Sequence, residues 1–290
     1  MSAQNVSVSV IIVTHNSSAT IGDCLRALPA ACPGLAFEII VVDNDSRDDT
    51  ATIVSAIDPK AHQLRQTRNL GFGAACNVGA QSAGGTYLLF LNPDAILDAG
   101  AVRSLVDVCA NTANAGFVVP RLRYPDGRFQ PSCRKLPTIG NMIFSRGSVI
   151  ARLFFLADTS QSARYTLPDF AQTTEVEAVA GTVALIDRST FLSAGGFDQR
   201  FFLYMEDTDL SLRLSRQGLK HLFVPVAGAV HRWGRGSAAG KVTRIWRHHF
   251  SVWQYFLKHY PNGFSVVLLP LLLFMNGFAA VIMPDRRTDA

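Results

Sequence analysis

The chain has 290 residues, 48% hydrophobic and 17% charged, which is enough apolar material for one large domain or two small ones and too much for a disordered chain. A net charge of +5 calls for an anionic partner, yet lysine and arginine are scattered and enriched only near the C-terminus, which argues against a nucleic-acid groove and for a phosphate-bearing substrate or an anionic membrane. The five cysteines, Cys24, Cys32, Cys76, Cys109 and Cys133, form no CxxC pair and read as reduced, structural, cytosolic thiols with no zinc site.

The opening MSAQNVSVSVIIVTHN lacks the basic flank and long apolar core of a signal peptide, so the catalytic part is expected on the cytoplasmic side. Val6–Val13 is rich in valine and isoleucine and too short to span a membrane. It reads as a strand buried on both faces. Ser18 and Thr20 are positioned to cap a helix running to about Leu28, and Pro29, Pro33 and Gly34 mark the loop before a second strand, Phe37–Val42. A helix over Thr50–Ile57, a short strand at His62–Arg65 and a glycine-rich connection lead to a helix near Ala74–Ser82. The strand Tyr87–Leu91, a helix through Val102–Cys109 and a strand near Phe117–Val119 continue the series. Such alternation predicts an α/β fold with a mostly parallel sheet flanked by helices, binding ligands at the carboxyl ends of its strands.

Between Arg121 and Phe170 that rhythm is lost, and the stretch reads as a variable insert. It returns with a strand at Val176–Ile186 and a helix near Arg188–Ala194. Gly195–Leu214 then joins a glycine pair, an apolar run Phe201–Met205 expected to be buried, and the acids Glu206, Asp207 and Asp209 at the start of a helix that Gly218 stops. After a strand at His221–Val226 come HRWGRGSAAGK, a basic and aromatic helix, and the almost wholly apolar Phe264–Met283.

Three strand ends carry polar groups: Thr14-His15-Asn16, Asp43-Asn44-Asp45 and Asn92-Pro93-Asp94. In a parallel sheet they converge on one rim. Asp43 is suited to accept a ring N–H of uracil or thymine, and Asp45 to reach ribose or the same ring; Asp48 and Asp49 remain for helix capping. Arg68, Asn69, Gly71 and Gly73 put a cation and close-approaching backbone before a helix, as a diphosphate requires, although the same glycines would serve a plain helix entry. The third glycine of a dinucleotide fingerprint is replaced by Cys76, which excludes a usual NAD site. Asn92 and Asp94 offer an amide and a carboxylate for Mg2+ or Mn2+, with water and diphosphate oxygens as further ligands. His231 is placed to complete that shell, though a lone histidine after a strand is more often a structural hydrogen-bonder. Arg232, Trp233, Arg235 and their glycines suggest a loop over anionic substrate. Carboxylates in a first helical turn are stabilised as anions, while close neighbours raise one another's pKa; such a cluster is a ready general base or an ordinary cap.

Taken in order, VTHNS, VVDNDSRDDT, NLGFGAACNVG, LFLNPDA, GGFDQRFFLYMEDTDLSLRL and HRWG resemble family 2 glycosyltransferases of the GT-A fold, among them the bacterial rhamnosyltransferase-like group, from roughly Val6 to Gly236. The resemblance implies an inverting, metal-dependent transferase using a nucleotide diphosphate sugar, with dTDP-rhamnose favoured and a glycan or polyprenyl-linked acceptor of the cell envelope. By this resemblance Thr14, Asn16, Asp43 and Asp45 match nucleotide-binding positions, Asp94 the metal-binding acid of a DxD-type motif, and Asp207 the catalytic base. Asn92 replaces the first acid of that motif, as in the rhamnosyltransferase-like members, and His15 stands where tyrosine is common and is placed to stack on the base. Glu206 and Asp209 would orient acceptor or base; Arg232, Trp233 and Arg235 would face diphosphate or acceptor.

The expected organisation is a glycosyltransferase domain over 1–240, with a Rossmann-like nucleotide-sugar half to about 120 and an acceptor half beyond it, followed by a membrane-associating segment over 241–290 with apolar helices. That segment is expected to attach the enzyme, peripherally or by its C-terminus, to the cytoplasmic face of the membrane; its alternative is a buried helix pair or a homodimer contact. A catalytically silent, membrane-associated nucleotide-sugar-binding subunit is the competing reading of the whole chain. A phosphoryl-transferring enzyme would want a lysine-bearing phosphate loop, and none is present.

Overall fold

A computed structural model describes residues 7–138, 170–232 and 240–282. Apolar runs and helical periodicity alternate to give β1 (Val8–Thr14), α1 (Ile21–Ala31), β2 (Phe37–Asp43), α2 (Thr50–Ile57), β3 (His62–Arg65), α3 (Phe72–Ser82), β4 (Tyr87–Leu91), β5 (Ala95–Leu97), α4 (Ala101–Ala110) and β6 (Ala115–Arg123). Short strands follow: β7 (Phe129–Gln130), β8 (Cys133–Arg134), β9 (Thr174–Val176) and β10 (Ala178–Val179). The chain continues with β11 (Val183–Asp187), α5 (Arg188–Ser193), α6 (Glu206–Arg216) and β12 (Lys220–His231). The main sheet runs β3-β2-β1-β4-β11-β6-β12-β5, with β7 on β6 and β9 on β12.

The first four strands of that order are mutually parallel, but β11 runs antiparallel to both β4 and β6. The sheet is therefore mixed at its centre. The strand expected over Val176–Ile186 is three strands: β9 pairs with β12, β10 with β8, and β11 begins only after Gly181. The strand expected over His221–Val226 extends to His231, with a register shift between Val224 and Gly228.

A second compact unit gathers Arg200–Met205 with the C-terminal helices, α7 (Lys241–His259) and α8 (Leu269–Ile282), the latter preceded by a π-helical turn at Phe264–Leu268. Phe201 and Met205 are buried while Phe202–Tyr204 are half-buried; Arg247 lies 4.4 Å over the Phe202 ring and Ser251 Oγ donates to Leu203 O. Asn276 and Gly277, which interrupt the apolar run of α8, face α7. Asn276 Nδ2 donates to His249 Nε2 at 2.9 Å, because Nδ1 of that ring is spent on Ile245 O. A Cβ on Gly277 would lie 3.2 Å from the Trp246 ring. Val267, Leu268, Leu271, Phe274, Met275 and Phe278 recur at helical spacing and are each 44–71% exposed. Among the described residues no helix is long and apolar enough to cross a membrane.

In the sheet unit, the pleat sorts alternate residues of the buried strands into two cores. Val8, Val10, Ile12, Val41, Leu89 and Leu91 pack with α1 and α4. Ile11, Val13, Ile40, Val42, Leu88 and Phe90 pack with α3, with Phe191 of α5, and with Leu210 and Leu214 of α6. Each such side chain contributes about 1.5–3 kcal/mol of burial, so α6, which carries the acids, is fixed by its apolar face. Close packing of α3 depends on Gly79, where a Cβ would lie 2.6 Å from Ile11 Cγ2. Gly79→Ala should destabilise the protein although alanine is the better helix former by about 1 kcal/mol, because overpacking costs about 1–3 kcal/mol. Chemical denaturation checks this, and a rise in stability would contradict the packing.

Candidate active site

Strand register brings the chain-distant polar groups to one rim. Thr14 lies opposite Asp43, and Leu91 opposite Ile12, so Thr14, Asp43 and Asn92 are neighbouring carboxyl ends. Thr14 Oγ1 is buried with no hydrogen-bond partner among the described residues. Asp43 Oδ1 accepts from Ser46 N at 3.1 Å, while among the described residues its Oδ2 meets only the Nε of Arg65, at 3.9 Å. Asn16 and Asp45 both take left-handed backbone, with φ of 54° and 67°, a conformation that Asn and Asp tolerate. The two loops are stitched together: Asn16 N donates to Ser46 Oγ, and Arg47 N to Asn16 Oδ1. Asn16 thus supports the loop as well as standing in the expected site. His15 Nδ1 donates to Asn44 O, leaving a half-buried ring at the rim.

The glycine-rich stretch is organised by Asn44, a residue that sequence reasoning passed over. Its side chain donates to Asn69 Oδ1 and Gly71 O and accepts from Leu70 N. Asn69 in turn accepts from Gly71 N, and Gly71 sits at φ 87°, where a side chain would be strained. Asn69 and Gly71 therefore shape the turn, and Arg68 is left exposed on it.

Asp94 and His231 are brought together by β5 and β12, which pair antiparallel with Ala95 opposite His231. Asp94 Oδ1 is buried, has no hydrogen-bond partner among the described residues, and lies 3.3 Å from His231 Nε2. The other ring nitrogen, Nδ1, is 3.1 Å from Gln130 Oε1. An amide oxygen only accepts, so this contact is made with the ring proton on Nδ1, the tautomer in which Nε2 presents a lone pair. In that tautomer two lone-pair donors would face each other in a buried position, a pair that fits a divalent cation. No group of three or more His, Cys, Asp or Glu side chains suited to a metal occurs among the described residues, so water and phosphate oxygens would supply the other ligands, as suits Mg2+ or Mn2+.

The acids at the start of α6 separate into three roles. Asp207 Oδ2 accepts from Gly181 N at 3.0 Å, and Oδ1 from its neighbour Thr208 N at 2.7 Å. Gly181 precedes Thr182, whose carbonyl accepts from Asn92 N, so the Asp207 carboxylate is tied to the rim that bears Thr14 and Asp43. Glu206 is buried, and its Oε2 has no partner among the described residues. Burial first, and the charge of Asp207 second, push its pKa up to about 8. Asp209 was expected to orient acceptor or base. It is fully buried and paired with Arg213 at 2.8 Å, because its position on the helix turns it into the protein. Arg213 also donates to Ala194 O and Gly196 O, clamping the glycine pair from one side while Asn77 bonds Phe197 N and O from the other.

Arg232 was expected toward diphosphate or acceptor. Its guanidinium is bound to Asp23 of α1 at 2.8 Å, and its backbone N donates to Asp94 O, so it braces the Asp94–His231 pair. Trp233 and Arg235 lie outside the described residues, as does most of the expected insert. The five cysteines are buried free thiols, and burial pushes those of Cys32 and Cys133 up to about 12.

The folded chain holds the Glu206 proton more tightly than an unfolded chain, whose value is near 4.5. Its contribution to stability is therefore present below that pH and is lost as pH rises toward about 8. Melting temperatures of Glu206→Gln and wild type should converge or cross in the variant's favour from pH 5 to 8. A difference independent of pH would contradict the burial of an acid.

Residues 9–191 match the family described as "Glycosyl transferase family 2". The N-acetylglucosaminyl-diphospho-decaprenol L-rhamnosyltransferase of Mycobacterium tuberculosis (strain ATCC 25618 / H37Rv) is 28% identical over 257 residues, covering 84% of this chain and 82% of that protein. Rhamnosyltransferase WbbL of Escherichia coli (strain K12) is 28% identical over 169 residues, 56% of this chain and 60% of its own length. Among solved structures, GalNAc-T7 with UDP, GalNAc and Mn2+ superimposes with a TM-score of 0.63 at 17% identity, covering 94% of this chain and 55% of that one. The last likeness shows the fold alone, of the GT-A type. With more than half of its length matched, this chain belongs to glycosyl transferase family 2.

Proposed function

We propose that the protein is an inverting glycosyltransferase that moves rhamnose from dTDP-rhamnose to a hydroxyl of a polyprenyl-linked or glycan acceptor in cell-envelope polysaccharide synthesis. The observation that carries this reading is the anchoring of Asp207, through Gly181, to the rim that holds Thr14, Asp43 and the Asp94–His231 pair. Rhamnose and the lipid-linked acceptor are suggested by the name of the mycobacterial relative, and the dTDP carrier by the resemblance to the rhamnosyltransferase-like group.

In this reading Asp43 Oδ2 accepts a ring N–H of the base and the Thr14 hydroxyl donates to or accepts from it, with Asn16 and Asp45 toward base and ribose and His15 beside the ring. Backbone at Gly71, with Arg68, Asn69 and Asn92, borders the diphosphate. Asp94 and His231 would hold Mg2+ or Mn2+, which when bound would offset the charge of the departing diphosphate. Asp207 takes the proton of the acceptor hydroxyl as its oxygen bonds the anomeric carbon, and the bond from that carbon to the diphosphate oxygen breaks. Protonated Glu206 keeps a second negative charge away from the base. No enzyme nucleophile takes part.

The exposed apolar stripe of α8 is proposed to lie on an anionic bilayer on the cytoplasmic side, where Arg244, Arg247 and Lys258 of α7 suit the headgroups.

Asp207→Asn should lower turnover by about 10²–10⁴-fold with donor binding retained, whereas Glu206→Gln, which mimics the protonated acid, should lose no more than about tenfold. Steady-state kinetics decide, and equal losses would remove Asp207 as the base. A panel of nucleotide sugars read by thermal shift should give its largest metal-dependent stabilisation with dTDP-rhamnose, and Asp94→Ala should abolish the metal dependence in calorimetry. Stabilisation by another donor, or unchanged affinity in the variant, would overturn the respective assignment. Vesicles rich in phosphatidylglycerol should retain the wild type and release a Leu271→Glu/Phe274→Glu/Phe278→Glu variant; retention of both would contradict attachment by this stripe.

A further inference from the structure

We propose that Gln130 is a positioning residue that fixes the tautomer of His231, so that the ring presents a lone pair rather than an N–H to Asp94. The inference rests on the reading of Asp94 and His231 as cation ligands and adds a residue that neither the family match nor the motifs single out. Gln130 is 4% exposed and sits on β7, opposite Leu122 of β6. Leu122 is in turn opposite Ala229 of β12, two residues before His231. The hairpin that returns β7 to β6 is closed by Tyr124 N to Arg128 O and by Gly127 at φ 85°. Backbone pairing thus delivers the amide to the ring edge opposite Asp94.

The chemistry turns on which end of the amide meets the ring. With Oε1 at 3.1 Å from Nδ1, the ring proton stays on Nδ1. Nε2 and the unpartnered Asp94 Oδ1, 3.3 Å apart, then form a two-atom seat for a cation. With the amide reversed, its NH2 would donate to Nδ1 and the ring proton would move to Nε2. That proton would fill the gap as an N–H···O contact with Asp94, and the seat would be lost. A metal-binding histidine generally needs such a partner on its other nitrogen, and removing one costs about 10–100-fold in metal affinity.

Imidazole nitrogen NMR on 15N-histidine protein reads the tautomer without metal. The resonances of His231, one of seven histidines, are identified by their loss in His231→Gln. The wild type should show the Nδ1–H form. Gln130→Met, close in size and without an acceptor, should lose that preference and bind Mn2+ at least about tenfold more weakly, as read by electron paramagnetic resonance of free Mn2+ with a nucleoside diphosphate present. Gln130→Glu, which still accepts from Nδ1–H, should keep both the tautomer and the affinity. An Nε2–H wild type, or a folded Gln130→Met with wild-type tautomer and affinity, overturns the inference. Should the methionine variant fail to fold, the wild-type spectrum and the glutamate variant still decide. A wild type that binds no Mn2+ removes the cation reading, while the tautomer measurement continues to judge Gln130 separately.

Discussion

The hydrogen bond from Gly181 N to Asp207 Oδ2 is the contact on which the arrangement of the site depends. It joins a helix that arrives late in the chain to a sheet edge built from its first third. Gly181 immediately precedes Thr182, whose carbonyl accepts from Asn92 N at the end of β4. One short path of backbone therefore connects the acid of α6 with the ends of β1, β2 and β4. The antiparallel direction of β11 makes this possible, because only an antiparallel strand begins where its parallel neighbour ends. A Cβ at 181 would come within 3.2 Å of the Phe72 ring, so a small residue there keeps the amide close to the carboxylate.

Two adjacent acids in that place have different surroundings. Asp207 receives backbone and neighbouring donors at both oxygens. Glu206 receives none on Oε2, so that burial and the neighbouring charge keep its proton on at neutral pH. The division leaves one negative charge facing the rim instead of two, and keeps the repulsion between them from opposing the folding of α6. On the proposed reading the Asp94–His231 pair follows similar logic: a buried carboxylate oxygen and a ring lone pair would be costly neighbours until a cation lay between them.

Much of this was legible in the sequence, for identifiable reasons. Val8–Thr14, Phe37–Asp43 and Tyr87–Leu91 are continuous apolar runs, and the polar residues just after them had to lie at strand ends. That placed Thr14, Asp43 and Asp94 without any long-range information. Strand direction was not legible, since periodicity carries no sign, and β11 enters the sheet antiparallel to β4 and β6. Nor were two- and three-residue strands such as β5 and β7, whose existence depends on partners elsewhere in the chain. Asp207 and Asp209 look alike in sequence. Only the three-dimensional position of Arg213 and Gly181 separates a buried clamp from a candidate base. Arg232 is bound to Asp23, 209 residues away, a pairing that no local pattern encodes. Gln130 lay in a stretch without periodicity and offered no signal.

In the proposed reaction the anomeric carbon of a nucleotide-linked rhamnose undergoes direct displacement, with a proton passing to Asp207. The most direct measurement is the anomeric configuration of the product, read by carbon–hydrogen coupling in NMR after transfer from dTDP-rhamnose to a polyprenyl diphosphate-linked acceptor. Direct displacement gives a product with the configuration opposite to that of the donor. A product that keeps the donor's configuration, or the absence of any transfer with a full-length, folded enzyme and metal present, would contradict it.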